Sequence, residues 1–169
     1  MAKKAITESD VIDIDSYIKD RDSIKKKIKE HKNNRRVHVG PHATFYFESF
    51  DTMLYQVQEM LYIERGGREQ LQDELKAYNP LIPTGKSLVV TLMFEIDNPN
   101  VRKKFLNSIG GIEKNTFVQI GNHKVYSRAE DDTDRTNEDG KASSVHFLHF
   151  DFDEHQIKSF SDISLEVSL

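Results

Sequence analysis

The stretch from Val39 to Arg65 constrains the fold most, because it joins a turn, a strand and a helix without a break. Gly40-Pro41 favours a tight reversal, so Val37 to Val39 and Ala43 to Phe47 are predicted to form a hairpin. The helix that follows places apolar side chains on one arc: Phe50, Met53, Leu54, Val57, Met60 and Leu61. Glu64 falls on that same arc, so we expect its carboxylate to face the core and to need a partner.

A longer helix precedes the hairpin. Asp15 or Ser16 could cap it, and Thr7 with Asp10 has the spacing of a capping box. An apolar stripe along the helix is narrow and consists of Tyr17, Ile18, Ile24 and Ile28. Its end is basic, which suits a helix C-terminus, and the cations are Lys25, Lys26, Lys27, Lys29, Lys32, Arg35 and Arg36.

The second half of the chain has a different pattern. Gly66-Gly67 ends the preceding helix, and a short helix follows at 68–78. A proline-containing loop then leads to a buried strand at 88–96. A helix at 101–109, strands at 116–120 and 124–128, a strand at 143–152, a helix at 154–160 and a strand at 163–169 follow. The acidic segment at 130–140, between the strands at 124–128 and 143–152, is predicted to be an exposed loop.

This order of elements predicts an α+β fold. Strand, helix, two strands, helix and strand is the order of a ferredoxin-like sandwich, here preceded by N-terminal helices and one extra hairpin. A chain of 169 residues is long enough for one ordinary core. We therefore expect a single domain over 1–169, in which the helical and hairpin part at 1–80 packs on the α+β sandwich of 86–169.

Composition excludes several classes of protein. The chain has no cysteine, which excludes disulfides, thiolate nucleophiles and an iron–sulfur cluster on this chain. The formal net charge of −4 gives no general attraction to nucleic acid or to an anionic membrane. The longest apolar run, Leu88 to Phe94, is too short to span a bilayer, and the N-terminus lacks an apolar leader segment. We therefore expect a cytoplasmic protein.

The basic run from Lys25 to Arg36 has few aromatic residues nearby on which bases could stack. It therefore favours a solvated helix end, or a surface that docks an acidic protein partner, over a nucleic-acid site.

Six side chains form the candidate metal set: His42, Glu48, Glu59, Glu64, His123 and His146. Imidazole and carboxylate ligands suit iron, manganese or zinc. Glu59 lies roughly 140° around the helix from Glu64, so the two are not expected to bind one ion. The favoured combination is Glu64 with His42 and His146, while strand parity separates His146 from His149.

Each candidate also has a structural interpretation. His146 could be a hydrogen-bonded core histidine, and His42 could cap a turn. His123 could simply be exposed in a hairpin. Glu64 could form a buried ion pair with an arginine such as Arg36 or Arg65.

Short motifs occur along nearly the whole chain: Arg35-Arg36-Val37, Gly40-Pro41-His42, Phe47-Glu48, Gln56 to Met60, Ile63-Glu64-Arg65, Tyr78 to Pro83 and Ser143 to Leu148. Together they resemble the bacterial family catalogued as domain of unknown function 3501. No activity is attached to that family. Its members are often encoded beside an iron–sulfur oxidoreductase resembling heterodisulfide reductase subunits, and beside rubrerythrin-like di-iron proteins. The resemblance therefore implies a redox or peroxide-defence setting.

The family pattern continues past the last strand with an Asp-His-Pro segment, whereas this sequence ends at Leu169. If that histidine belongs to a site, this chain lacks part of it.

The sequence therefore supports two functions and leaves enzymatic activity open. The first is an accessory, metal-binding subunit of an iron–sulfur oxidoreductase or rubrerythrin-linked redox system, acting through a protein partner. The alternative is a metal-free protein–protein interaction module, in which the polar residues form a structural network and the basic helix docks the partner. The chain has no phosphate-binding loop, nucleophile elbow or HExxH motif. A metal-dependent enzyme would in addition require an enclosed pocket beside the ligands.

Overall fold

The computed structural model describes residues 3–130, 141–162, 164 and 166–169. The chain divides into two compact units. The first unit comprises Met1–Arg36 and Glu48–Thr84, and the second comprises Val37–Phe47 and Gly85–Leu169. The hairpin at 37–47, which the sequence predicts to be part of the 1–80 region, thus belongs to the second unit. The single domain stays a prediction.

The first unit is helical. Its helices are α1 (Ile14–Asn33), α2 (Phe50–Glu64) and α3 (Gly67–Tyr78), with short 3₁₀ turns at Glu8–Asp10 and Asn79–Leu81. Helix α1 begins one residue after Asp13, whose carboxylate accepts the Ser16 N–H at 3.0 Å. Asp13 is therefore the N-cap of α1, and the predicted caps, Asp15 and Ser16, lie in the first turn.

The apolar arc of α2 contributes three buried residues to the first unit, and its other members are half-buried. Met53, Val57 and Leu61 are buried, as the periodicity predicts. In α1 the only buried residue is Tyr17. Gln58 is also buried, and its side-chain amide exchanges two hydrogen bonds with the backbone of Ile12, at 3.0 and 3.1 Å. The segment before α1 is thereby fixed to α2.

The second unit contains the strands. They are β1 (Arg36–Val39), β2 (Ala43–Phe47), β3 (Ser87–Phe94), β4 (Phe117–Ile120), β5 (His123–Tyr126), β6 (Arg128–Ala129), β7 (Val145–Asp151) and β8 (Val167–Ser168). Two helices accompany them, α4 (Pro99–Ser108) and α5 (Glu154–Phe160). The predicted acidic loop lies outside the described residues beyond Glu130.

The α+β class and the predicted order of elements are confirmed, with β6 as an additional short strand. The pairing differs from a single ferredoxin-like sheet. One sheet has the order β1-β2-β3-β7-β6 and the other has the order β5-β4-β8. Strand β3 pairs antiparallel with β2 on one edge and with β7 on the other. Strands β4, β5 and β8 form a sheet of their own.

The core of the second unit lies on one face of the larger sheet. Register places Phe45 opposite Leu92, and Leu92 opposite His146, so these three share that face. The buried cluster includes residues from both sheets and from α4: Phe45, Val90, Leu92, Phe94, Leu106, Val118, Ile120, Val125, Leu148 and Phe150. Among the described residues, no helix has the length and apolarity needed to cross a bilayer.

Candidate functional site

His146 lies in β7 on the core face of the larger sheet and is only 1% exposed. Its Nε2 atom lies 2.9 Å from the carbonyl oxygen of Ser143. A carbonyl can only accept, so Nε2 carries the proton and donates it. The ring of Phe94 stands nearly perpendicular to the imidazole, with 5.9 Å between centroids. These contacts are those of a hydrogen-bonded core histidine.

His42 lies in the turn between β1 and β2 and is half-buried. Its ring meets the edge of Phe105 at 5.1 Å between centroids, and Phe105 in turn packs on Phe94 at 5.4 Å. The aromatic contacts therefore run from His42 through Phe105 and Phe94 to His146. Each of the two imidazoles faces a phenylalanine ring.

The three glutamates of the candidate set all belong to the first unit. Glu64 is the last residue of α2 and is exposed, so the prediction that it faces the core is wrong. Leu61 is the last buried residue of α2, and the arc continues beyond it into a final turn that solvent reaches. The Glu64 carboxylate accepts from Gln70 Nε2 at 3.1 Å.

The other two glutamates are held by different neighbours. Glu48 is buried, and its carboxylate accepts from the Thr52 hydroxyl at 2.5 Å. Glu59 accepts two N–H bonds from Arg21, both at 2.8 Å, and a third bond from the Tyr17 hydroxyl.

His123 is the first residue of β5 and is exposed, as its structural interpretation predicts. Its ring lies 5.7 Å from that of His155 in α5, at an interplanar angle of 72°. Across the described ranges of the chain, no three histidine, aspartate or glutamate side chains come close enough to hold one metal ion. The favoured combination of Glu64, His42 and His146 is not brought together there, and a metal ion remains a prediction.

A polar network around Tyr17 was not predicted from the sequence. The phenol is fully buried and donates to Glu59, and both burial and that carboxylate raise its pKa. The guanidinium of Arg21 holds the pKa of Glu59 below its ordinary value, against the opposing effect of burial. Arg21 also lies over the ring of Tyr62, 4.5 Å from its centroid. The four-residue spacing of Tyr17 and Arg21 on α1 was the one available signal.

A second group that was missed lies on the opposite face of the larger sheet. His149 is buried and its Nε2 bonds the carboxylate of Glu130. Register places His149 opposite Val89 and His146 opposite Leu92, which confirms the predicted separation of the two histidines. Nothing in the local sequence links Glu130 to His149, because they meet only through the pairing of β6 with β7.

The C-terminal half of α1 presents a basic face. Lys25, Lys26, Lys27 and Lys29 are exposed. None of the four forms an ion pair with a described residue. Lys32 is half-buried and lies 5.6 Å above the ring of Tyr55. At about 100° per residue, Lys25, Lys26 and Lys29 lie on one side of the helix and Lys27 lies on the other, so we call Lys25, Lys26 and Lys29 the basic face of α1.

Comparison with known proteins places the chain in a family. The sequence profile of the family described as protein of unknown function (DUF3501) matches residues 5–169, and this chain belongs to that family. It is similar to a crystal structure from Burkholderia pseudomallei K96243, described as a novel protein of unknown function. The TM-score is 0.86 at 29% identity, covering 97% of this chain and 92% of that chain. No curated protein matches the chain.

Proposed function

We propose that this protein is an accessory, protein-binding subunit of an iron–sulfur oxidoreductase or rubrerythrin-linked redox system. The basic face of α1 is the observation that carries the proposal. Three lysines within five positions keep their charges in solvent on one side of the helix, in a chain whose formal net charge is −4. A local positive surface on an acidic protein steers and orients an acidic partner.

The composition and the family resemblance support the redox setting. The chain has no cysteine and so cannot ligate an iron–sulfur cluster. In the proposed system, the partner therefore carries the cluster or the di-iron centre, and this chain acts through contact with it. The dispersion of the six candidate metal ligands favours the interaction module over a metal-bearing subunit.

Binding of the purified chain to the two proposed partners from the same organism tests the proposal. The variant Lys25→Glu, Lys26→Glu, Lys29→Glu should weaken binding about tenfold or more, because each change turns attraction into repulsion. A matched control, Lys103→Glu, Lys104→Glu, Lys114→Glu, makes the same charge change at exposed lysines of the second unit. It should bind as the wild type does, and wild-type binding should weaken as salt rises.

The proposal would be contradicted if the chain bound neither of the two partners. Equal effects of the two triple variants would contradict the role of the basic face.

The metal ion has its own test. Untagged protein carrying stoichiometric iron, manganese or zinc that is lost in His146→Ala would support the metal-bearing subunit. Untagged protein without such a metal would leave the interaction module.

A further inference from the structure

The first unit contains a pocket of about 480 Å³ that the proposed function does not use. Its size falls within the range of about 300–1,000 Å³ typical of small-molecule sites. The pocket is open to solvent on one side and is bordered by three segments: the stretch before α1, the last turns of α2 and the start of α3. The side chains that line it are mostly apolar, and the apolar ones are Val11, Ile12, Ile14, Leu61 and Leu71.

The buried polar side chain that lines this pocket, Gln58, is already hydrogen-bonded. Gln58 is 4% exposed, and both ends of its amide are engaged by the backbone of Ile12. An amide with both ends satisfied offers little to a polar ligand. The interior therefore favours an apolar body.

Two arginines border the pocket, Arg65 and Arg68. Arg68 lies 3.8 Å from Glu8, and both of these side chains are largely in solvent, so the pair is weak and the guanidinium can turn to a ligand. Asp13 is the one carboxylate on the lining. It accepts the Ser16 N–H at the start of α1, where the helix dipole offsets its charge.

Arg65 occupies an unusual backbone position. Its φ of 58° lies in the left-handed region, and among the described residues it is the only non-glycine with a positive φ. Glycine is favoured at such a helix end, and strained positions cluster at ligand clamps. Arg65 therefore occupies a position where glycine would relieve backbone strain. Its guanidinium carbon lies 5.0 Å from the centroid of the Tyr62 ring.

We infer that this pocket binds a free medium-chain carboxylate, with its hydrocarbon body among the apolar side chains and its carboxylate at Arg65 and Arg68. Guanidinium groups recognise carboxylates through paired, charge-assisted hydrogen bonds. The inference is independent of the basic face of α1, so either can fail alone.

Calorimetric titration of the full chain with decanoate tests the inference. Decanoate should bind saturably, and decanol, which has the same body without the charge, should bind about tenfold more weakly or worse. The double variant Arg65→Gln, Arg68→Gln should weaken decanoate binding by about tenfold or more, since it removes both cations. Lys76→Gln, which removes one cation from the far end of α3, should bind as the wild type does.

A blocking variant tests the location without endangering the fold. Ile12 lines the pocket but is 42% exposed, so Ile12→Trp can fill the space without disturbing the core. It should weaken decanoate binding at least about tenfold. Ile18→Trp makes the same change at an isoleucine that is 44% exposed and lies outside the pocket, and it should have no effect. Failure of decanoate to saturate, equal binding of decanol, or equal effects of the two tryptophan variants would each overturn the inference.

Discussion

Tyr17 places a hydroxyl in a fully buried position and gives it a charged acceptor. Glu59 receives that hydroxyl together with two N–H groups of Arg21. A buried polar network stabilises one arrangement when every member is satisfied, and is costly when a member is removed. The network therefore explains why a tyrosine, rather than a phenylalanine, occupies the one buried position of α1.

Replacing Tyr17 by phenylalanine keeps the ring and removes the hydroxyl. We expect the free energy of unfolding to fall by about 1.5–3 kcal/mol, the range for a hydrogen bond to a charged group. Urea denaturation followed by circular dichroism measures the change. Tyr126→Phe is the control, because that ring is 58% exposed, and it should stay within about 0.5 kcal/mol of wild type. An equal loss in both variants would argue against the network.

Glu59 predicts an acid dependence of stability. Arg21 lowers the carboxyl's pKa in the folded chain, whereas the unfolded chain has an ordinary value of about 4.3. The unfolded state thus binds a proton more readily, so this contribution is complete above about pH 4.3 and is lost as the pH falls through the folded pKa. Glu59→Gln should be less stable at neutral pH and should lose less stability on acidification.

Urea titrations at neutral pH and at about pH 3 measure this difference. The remaining carboxyls, including Asp10, whose pKa is lowered to about 2, are common to both proteins, so the difference between the two isolates Glu59. Parallel pH curves for the two proteins would be inconsistent with the expectation.

At the scale of elements, α2 depends on its cap. The Ser49 hydroxyl accepts the Thr52 N–H at 3.3 Å and also lies 3.0 Å from His31 Nε2. Ser49→Ala should destabilise the chain by about 1 kcal/mol, because a backbone donor loses its partner. Thermal unfolding measures the loss. Ser23→Ala, at an exposed position within α1, should be neutral or slightly stabilising, and matching losses would exclude the cap as the cause.

The approximate starts of helices are signalled locally, although α1 begins at Ile14, after Asp13, rather than at the predicted caps Asp15 or Ser16. Asn98 followed by Pro99 has the pattern of a helix start, and the Asn98 side chain accepts two N–H groups of the first turn of α4. Periodicity was also reliable through the middle of α2, at Met53, Val57 and Leu61. Periodicity failed at Glu64. It indicates which side of a helix a residue lies on, but it cannot show how far along the helix the packed neighbours extend.

At the scale of the whole molecule, pairing between distant strands could not be predicted. Both edges of β3 are occupied by strands remote in sequence, and no residue within β3 indicates which strands those are. The same limit applies to the candidate site. The burial of His146 could be predicted from strand alternation, whereas its Ser143 acceptor and its Phe94 neighbour depend on tertiary packing.

The register of β2 with β3 predicts that the second unit can be rebuilt alone. Phe47 pairs with Val90 and Ala43 with Phe94, so the end of β2 lies beside the start of β3. Replacing residues 48–84 by a short glycine-containing loop, in a chain starting at residue 36, would join them as an ordinary hairpin. We expect this shortened chain to unfold cooperatively, as measured by circular dichroism and by the dispersion of its amide NMR signals.

The fragment 85–169 is the comparison. It lacks Phe45 from the core and leaves an edge of β3 unpaired, so it should not unfold cooperatively. Cooperative unfolding of that fragment by itself would show that β1 and β2 are dispensable.

The position of the β1–β2 hairpin between α1 and α2 also bears on folding during translation. Strand β2 is synthesised before α2 and α3, while its partner β3 follows them. At about 5–20 residues synthesised per second, the aromatic strand β2 is made on the order of seconds before that partner. During that delay its edge is open to stray pairing, so a holding chaperone that covers it should raise the yield of native protein.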